Sequence, residues 1–219
     1  MITTVLFDLD DTLTDVASFG PSVLIRAAEE RGHALTMARI QEYPGAAYLP
    51  LVQRLLGVPE HEAAAIYARY VQLYRVLMID GLHEHDGATE LLRILYERGV
   101  KVGLVTNKLD ALAREIVARL GWSGLIPVIV GQDTSPYRKP DPAVVRFALD
   151  ALGGRAVEAS AVGDSVDDMA GASRAGLSVV VGVLTTTPAE RLTASGATNL
   201  CGNLHDVRTL LLDRIAGRG

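Results

Sequence analysis

The sequence predicts an α/β protein, a doubly wound parallel sheet interrupted after its first strand by an all-helical insertion. Three patterns carry that expectation. Short apolar runs, too continuous to leave one face wet, recur along the chain; amphipathic helical stretches separate them; and one long stretch shows helical periodicity alone.

The strands come in order as "TTVLFDLD" from Thr3, "VKVGLVTN" from Val100, "IPVIVG" from Ile126, "ASAVGDS" from Ala159 and "LSVVVGV" from Leu177. Between them, "LDALAREIVARLG" from Leu109, "DPAVVRFALDALG" from Asp141 and "DDMAGASRAG" from Asp167 read as helices, most closed by a glycine suited to a C-cap. From about Val16 to His85 only helical periodicity is found, in "PSVLIRAAEERG" with Pro21 near N1, in "YLPLVQRLLG" and in "PEHEAAAIYARYVQLYRVLM". The turn-like "IDGLHEHDG", Ile79 to Gly87, is expected to return the chain to the sheet. The expected organisation is therefore an α/β core of residues 1–15 and 86–219, with a helical domain of residues 16–85.

Composition narrows the function. The 219 residues, 49% of them hydrophobic, are enough to bury a sizeable core. A net charge of -5 without a basic run argues against nucleic acid or an anionic membrane as partner, because those affinities need clustered Lys and Arg. One cysteine, Cys201, allows no internal disulfide and fits a reducing compartment, and the start "MITTVLFDLD" lacks the layout of an export signal. A cytoplasmic protein, monomer or homodimer, is expected.

Against that background "VLFDLDDTLTD", Val5 to Asp15, is unusual, with four aspartates at the end of an apolar strand. Strand residues two apart point the same way, so Asp8 and Asp10 are expected to project together at the sheet edge where open α/β proteins bind ligands. Two such carboxylates need a cation or a shared proton. Other strand ends add matching chemistry. "LVTNK" offers the Thr106 hydroxyl, the Asn107 amide and the Lys108 ammonium, a set able to hold an anion. "YRKPDP" presents Lys139 in a proline-set turn, and "VGDSVDD" places Asp164 at a strand tip with Asp167 and Asp168 in the following helical turn.

These motifs, "DLDDT", Thr106 of "LVTNK", Lys139 of "RKPDP" and "GDSVDD", resemble in order those of the haloacid dehalogenase superfamily of phosphohydrolases. The likeness spans nearly the whole chain and is nearest the phosphoglycolate-phosphatase-like branch, which carries a helical cap after its first motif. It implies a core strand order 5-4-1-2-3 and hydrolysis of a small phosphorylated metabolite, phosphoglycolate the leading guess, through an aspartyl phosphate. Asp8 would be the nucleophile and Asp10 the general acid and base, while Mg²⁺ would be held by Asp8, the Asp10 backbone carbonyl and Asp164. Thr106, Asn107 and Lys139 would hold the phosphoryl group, with Asp168 supporting Lys139. Asp11 stands where a glycine is commoner in the family. In the helical cap, Tyr43, Gly45 and Arg54 are candidate substrate contacts.

Related chemistries fit less well. Dehalogenases of this superfamily lack the second aspartate, present here as Asp10; phosphonate cleavage needs a cap lysine, whereas Lys101, Lys108 and Lys139 are the only lysines. A phosphohexomutase would share the core motifs but usually carries a histidine soon after the first, where this chain has Ser18, Phe19 and Gly20. A phospho-accepting signalling module would place its aspartate on the third strand and lack the insertion.

Overall fold

The computed structural model describes residues 1–43 and 49–216. Along the chain the elements are β1 (Thr4–Phe7), β2 (Thr14–Asp15), α1 (Gly20–Glu29), α2 (Met37–Gln41), α3 (Leu49–Leu56), α4 (Glu60–Gly81), β3 (His83–Glu84), α5 (Ala88–Glu97), β4 (Lys101–Val105) and α6 (Asp110–Arg119). They continue as β5 (Val128–Val130), α7 (Pro142–Leu152), β6 (Ala159–Gly163), α8 (Val166–Ala175), β7 (Val179–Val183), α9 (Ala189–Ala194), β8 (Asn199–Cys201) and α10 (Leu204–Ile215).

Six strands form one sheet in the order β5-β4-β1-β6-β7-β8, every pairing parallel. Read from β7 to β5 this is the expected 5-4-1-2-3, and β8 is an added edge strand. Asn199-Leu200-Cys201 escaped the sequence reading because three residues with Leu200 exposed show no continuous apolar run. The register sets Phe7 opposite both Leu104 and Val162, so the carboxyl ends of β1, β4 and β6 finish side by side. The chain runs outward from β1 through β4 to β5, then crosses to β6 and runs the other way. That reversal opens a crevice beyond the carboxyl ends.

The strands are buried along almost their whole length, which explains their unbroken apolar runs. Helices α7 and α8 pack on each other and over the sheet, joining Val144, Val145, Leu149, Met169 and Ala172 to Leu6, Val105 and Val180 in one core. Their starts and stops follow local chemistry. Asp141 caps α7 by accepting from Ala143 N, Ser165 caps α8, and Gly153 and Gly176 end the two helices with φ of 59° and 89°. Trp122 is fully buried, its indole N–H donating to Thr89 Oγ1 at 2.8 Å.

The chain divides into two compact units, Met1–Thr14 with Glu84–Gly219, and Asp15–His83. In the second, α4 packs on α1 and α3. Tyr67, Tyr70 and Tyr74 are buried along α4, with ring centroids 5.9 and 5.6 Å apart, and Phe19 meets Tyr74 at 5.2 Å. This aromatic row is packing. The return turn is shorter than expected, since α4 runs on through Ile79 and Asp80 to Gly81. A glycine at a helix end costs only about 1 kcal/mol, less than the ladder of a 22-residue helix supplies.

One close approach ties the fold to the crevice. A Cβ on Gly131, just past β5, would lie 2.5 Å from Asp110 N and 2.9 Å from Lys108 O, both backbone atoms that cannot swing aside. Gly131→Ala is expected to cost about 1–3 kcal/mol by overpacking, which at about 2–4 °C per kcal/mol lowers Tm by roughly 2–12 °C. Calorimetry on the two proteins checks this, and an unchanged Tm would show that the two loops part freely.

Candidate active site

Strand β1 ends at Phe7, but Asp8 N continues its ladder by one bond, donating to Val162 O at 2.9 Å. The chain then closes a tight loop in which Leu13 N and Thr14 N both donate to Leu9 O at 3.0 Å and Asp11 N donates to Thr14 O at 2.6 Å. Closing it requires a left-handed residue, and Asp11 supplies it at φ 60°. That conformation suits glycine best and Asp or Asn next, which accounts for aspartate at this place. Asp10 stands just before that turn, bridged to Thr14, and its charge is among those felt by Asp8. Each carboxylate has its own lysine. Lys139 Nζ is 2.7 Å from Asp8 Oδ1, and Lys108 Nζ is 3.2 Å from Asp10 Oδ2, with all four side chains buried.

Lys139 is held from three directions. Asn107 brackets its peptide, Oδ1 accepting from Lys139 N at 3.1 Å and Nδ2 donating to Lys139 O at 3.3 Å. The Asn107 amide, expected to hold phosphate, is therefore used first to place the lysine. The ammonium meets Asp8 on one side and Asp168 Oδ1, at 2.6 Å, on the other. Asp168 is in turn anchored by a capping box, its Oδ2 accepting from Ser165 N at 3.0 Å and from the Ser165 hydroxyl, while Ser165 Oγ accepts from Asp168 N at 3.2 Å. Gly163 makes room, since a Cβ there would fall 2.5 Å from the Asp168 Cβ. Thr106 Oγ1 accepts from Lys108 N at 3.1 Å, so its hydrogen stays available to a phosphoryl oxygen.

Asp164, at the tip of β6, is gripped by two hydroxyls: Thr12 Oγ1 donates to Oδ1 at 3.0 Å and Thr186 Oγ1 donates to Oδ2. Ser165, Thr12 and Thr186 were not singled out from sequence. Thr12 lies inside "DLDDT" and Ser165 inside "GDSVDD", but Thr186 follows β7 in "LTTTP", far from any motif, and its only signal was a hydroxyl-rich strand end.

Oxygens of Asp8, Asp164 and Asp168 come within 4.8 Å of one another, all three residues buried. Burial first, then the Asp168 charge, pushes Asp8 well above the ordinary carboxylate range despite the opposing pull of Lys139. Burial and Asp168 likewise raise Asp164 to about 7, against the two threonine hydroxyls. Burial alone would lower Lys139, but Asp168 and Asp8 outweigh it and hold the ammonium above its usual range. One lysine does not neutralise three carboxylates. The donor set is oxygen throughout, charged and closely spaced, which fits a hard divalent cation such as Mg²⁺.

Of the helical-unit candidates, Tyr43 and Arg54 meet, the guanidinium carbon 5.7 Å from the ring centroid, and Arg39 approaches the same ring at 5.2 Å. Gly45 lies outside the described residues. Cys201 is buried and its thiol pushed up to about 11 by that burial, so it is a poor nucleophile at neutral pH. No helix of the described residues is long and apolar enough to cross a membrane.

Comparison with known proteins shows what the chain is similar to. The sequence pattern of the haloacid dehalogenase-like hydrolases matches residues 5–182. A phosphoglycolate phosphatase of Rhodospirillum rubrum is 35% identical over 187 residues, 81% of this chain and 78% of its own. Another, from Xylella fastidiosa, is 36% identical over 191 residues, 81% and 79% of the two chains. The crystal structure of a hydrolase from Pseudomonas syringae superposes with a TM-score of 0.83 at 25% identity, over 96% of this chain and 98% of that one.

The raised carboxylates have a consequence for stability. Asp8 and Asp164 bind protons more tightly folded than unfolded, where the ordinary value is 3.8. Between about pH 4 and 7 the folded state therefore holds more protons, and the contribution of these groups to stability falls as pH rises. A bound cation replaces those protons. Thermal melts in chelator are expected to lose Tm from pH 5 to 8, and Mg²⁺ to raise Tm more at pH 8 than at pH 5. An increment larger at pH 5 would contradict the assignment of these carboxylates to a cation.

Proposed function

The chain belongs to the haloacid dehalogenase-like hydrolases, and on that premise we propose that it is a cytoplasmic, Mg²⁺-dependent phosphomonoesterase acting on a small phosphorylated metabolite, with phosphoglycolate the first candidate. The observation that carries the reading is the buried Asp8 carboxylate at the β1 tip, paired with Lys139 inside an acidic cluster. The two phosphoglycolate phosphatase relatives support the substrate. The acidic composition and lone cysteine support the compartment, with the protein a monomer or homodimer and neither nucleic acid nor membrane a partner.

In this mechanism Asp8, its Oδ1 steadied by Lys139, attacks phosphorus through Oδ2, forming an aspartyl phosphate as the bond to the leaving alcohol breaks. The Thr106 hydroxyl and the Lys139 ammonium bind phosphoryl oxygens; Asn107, through its bracket on Lys139, keeps that ammonium in place and has one amide hydrogen left for the same oxygens. Asp10 gives a proton to the leaving oxygen and later takes one from the water that opens the intermediate. Asp8, Asp164 and the Asp10 backbone carbonyl would hold Mg²⁺, with Asp168 in support; when bound, it offsets negative charge between the carboxylate and the phosphoryl group. Thr12 and Thr186 keep Asp164 oriented. Choice of substrate is assigned to the helical unit, with Tyr43, Gly45 and Arg54 as the candidate contacts.

Asp8→Asn should abolish phosphate release while leaving the fold, read by circular dichroism, and vanadate binding intact, because only the attacking oxygen's charge is lost. Substantial activity in the purified variant would remove Asp8 as nucleophile. For the substrate, kcat/KM is to be compared across phosphoglycolate, sugar phosphates, nucleotides and pyrophosphate, in Mg²⁺ and in EDTA. Phosphoglycolate is expected to lead and EDTA to silence every reaction. Rapid isomerisation of a hexose phosphate without phosphate release would instead assign a mutase.

A further inference from the structure

The second lysine of the site has no part in the mechanism so far. Lys108 Nζ lies 3.2 Å from Asp10 Oδ2, with the two side chains only 1% and 2% exposed. A lysine is almost never buried so fully without a reason, since its charge and long stem both favour water. This one is also fixed along its backbone. Its N–H donates to Thr106 Oγ1 at 3.1 Å, its carbonyl accepts from Gln132 N at 2.9 Å, and Gly131 packs against that carbonyl. The contact at Asp10 Oδ2 is an ion pair rather than an aligned hydrogen bond, and Asp10 Oδ1, buried as well, has no hydrogen-bond partner among the described residues. The carboxylate is thus held at one oxygen and open at the other.

We propose that Lys108 is a positioning residue for proton transfer, anchoring Asp10 Oδ2 so that Oδ1 faces the leaving oxygen. The inference rests on the phosphohydrolase reading above. In the first half-reaction the Oδ1 proton passes to the alcohol oxygen as its bond to phosphorus breaks and the Asp8–phosphorus bond forms, leaving Asp10 anionic beside the ammonium. In the second, water adds to phosphorus, its proton returns to Oδ1, and the Asp8–phosphorus bond breaks with its electron pair going back to Asp8. Lys108 keeps its protons throughout. It acts by holding the carboxyl plane and by facing the charge that appears on Asp10 in the first step.

A merely structural ion pair would affect stability but not the reaction's dependence on the leaving group. Lys108→Met keeps the stem and removes the charge. With an alkyl phosphate, which needs a proton donor, kcat is expected to fall about 10²-fold, the lower end for losing a general acid. KM should change little. With p-nitrophenyl phosphate, whose leaving group needs no proton, the rapid-mixing burst of nitrophenol should slow much less. In an Asp10→Asn background the same change should cost almost nothing further on the alkyl ester, because residues that act through one another are not additive. Equal losses on both esters, or a further large loss in the double variant, would overturn the proposal. If the single variant does not fold, the double variant, which removes both charges, carries the test alone against Asp10→Asn. A wild-type protein inactive on every phosphate ester, or an active Asp8→Asn, would instead fail the underlying reading and take this inference with it.

Discussion

The interaction on which the site depends is the buried ammonium of Lys139 between the carboxylates of Asp8 and Asp168, at 2.7 and 2.6 Å. Removing the lysine would leave two carboxylates buried without their counter-charge, a cost of about 3–5 kcal/mol. The surroundings accordingly immobilise every member. Asn107 brackets the lysine peptide, Ser165 holds Asp168 through the α8 capping box, and the ladder bond from Asp8 N to Val162 O fixes the third group to the sheet. Because Gly163 has no side chain, Asp168 sits directly against β6.

The same economy of backbone recurs around Asp10 and Asp164. A loop of a few residues after β1 turns sharply through the left-handed Asp11, placing Asp10 beside Lys108 while bringing Thr12 onto Asp164. Thr185, beyond β7, donates to the Asp11 carbonyl at 2.5 Å, and Thr186 beside it grips Asp164. The end of β7 therefore braces the β1 loop and the β6 tip together. Preorganisation of this kind matters for phosphoryl transfer, where catalysis is mostly placement and charge compensation.

Two lysines and several carboxylates give the site an internal division of charge. Lys139 faces the cluster in which Asp8 and Asp164 are raised by burial and by the Asp168 charge, and Lys108 faces Asp10. The proposed nucleophile and the proposed proton carrier are thereby held by separate cations, so each carboxylate can change charge while its own partner stays in place.

The sequence by itself determined the five core strands and most helices, because runs buried on both faces, helical periodicity and Gly or Asp caps are local signals that need no partner to be read; the order of the core sheet came only with the resemblance of its motifs to a known family. It also marked Asp8, Thr106, Lys139, Asp164 and Asp168, since each stands at a strand end or in a motif of fixed spacing. Only the tertiary structure decided what these groups touch. Strand β8 was too short to read, and α4 ran past a glycine because a long helix outweighs one poor residue. Asn107 became a bracket for Lys139, Lys108 a partner for Asp10, and Thr186 a support for Asp164 from 22 residues away. Such pairings depend on which strand tips lie side by side, a property of sheet order and register that no single stretch of chain contains.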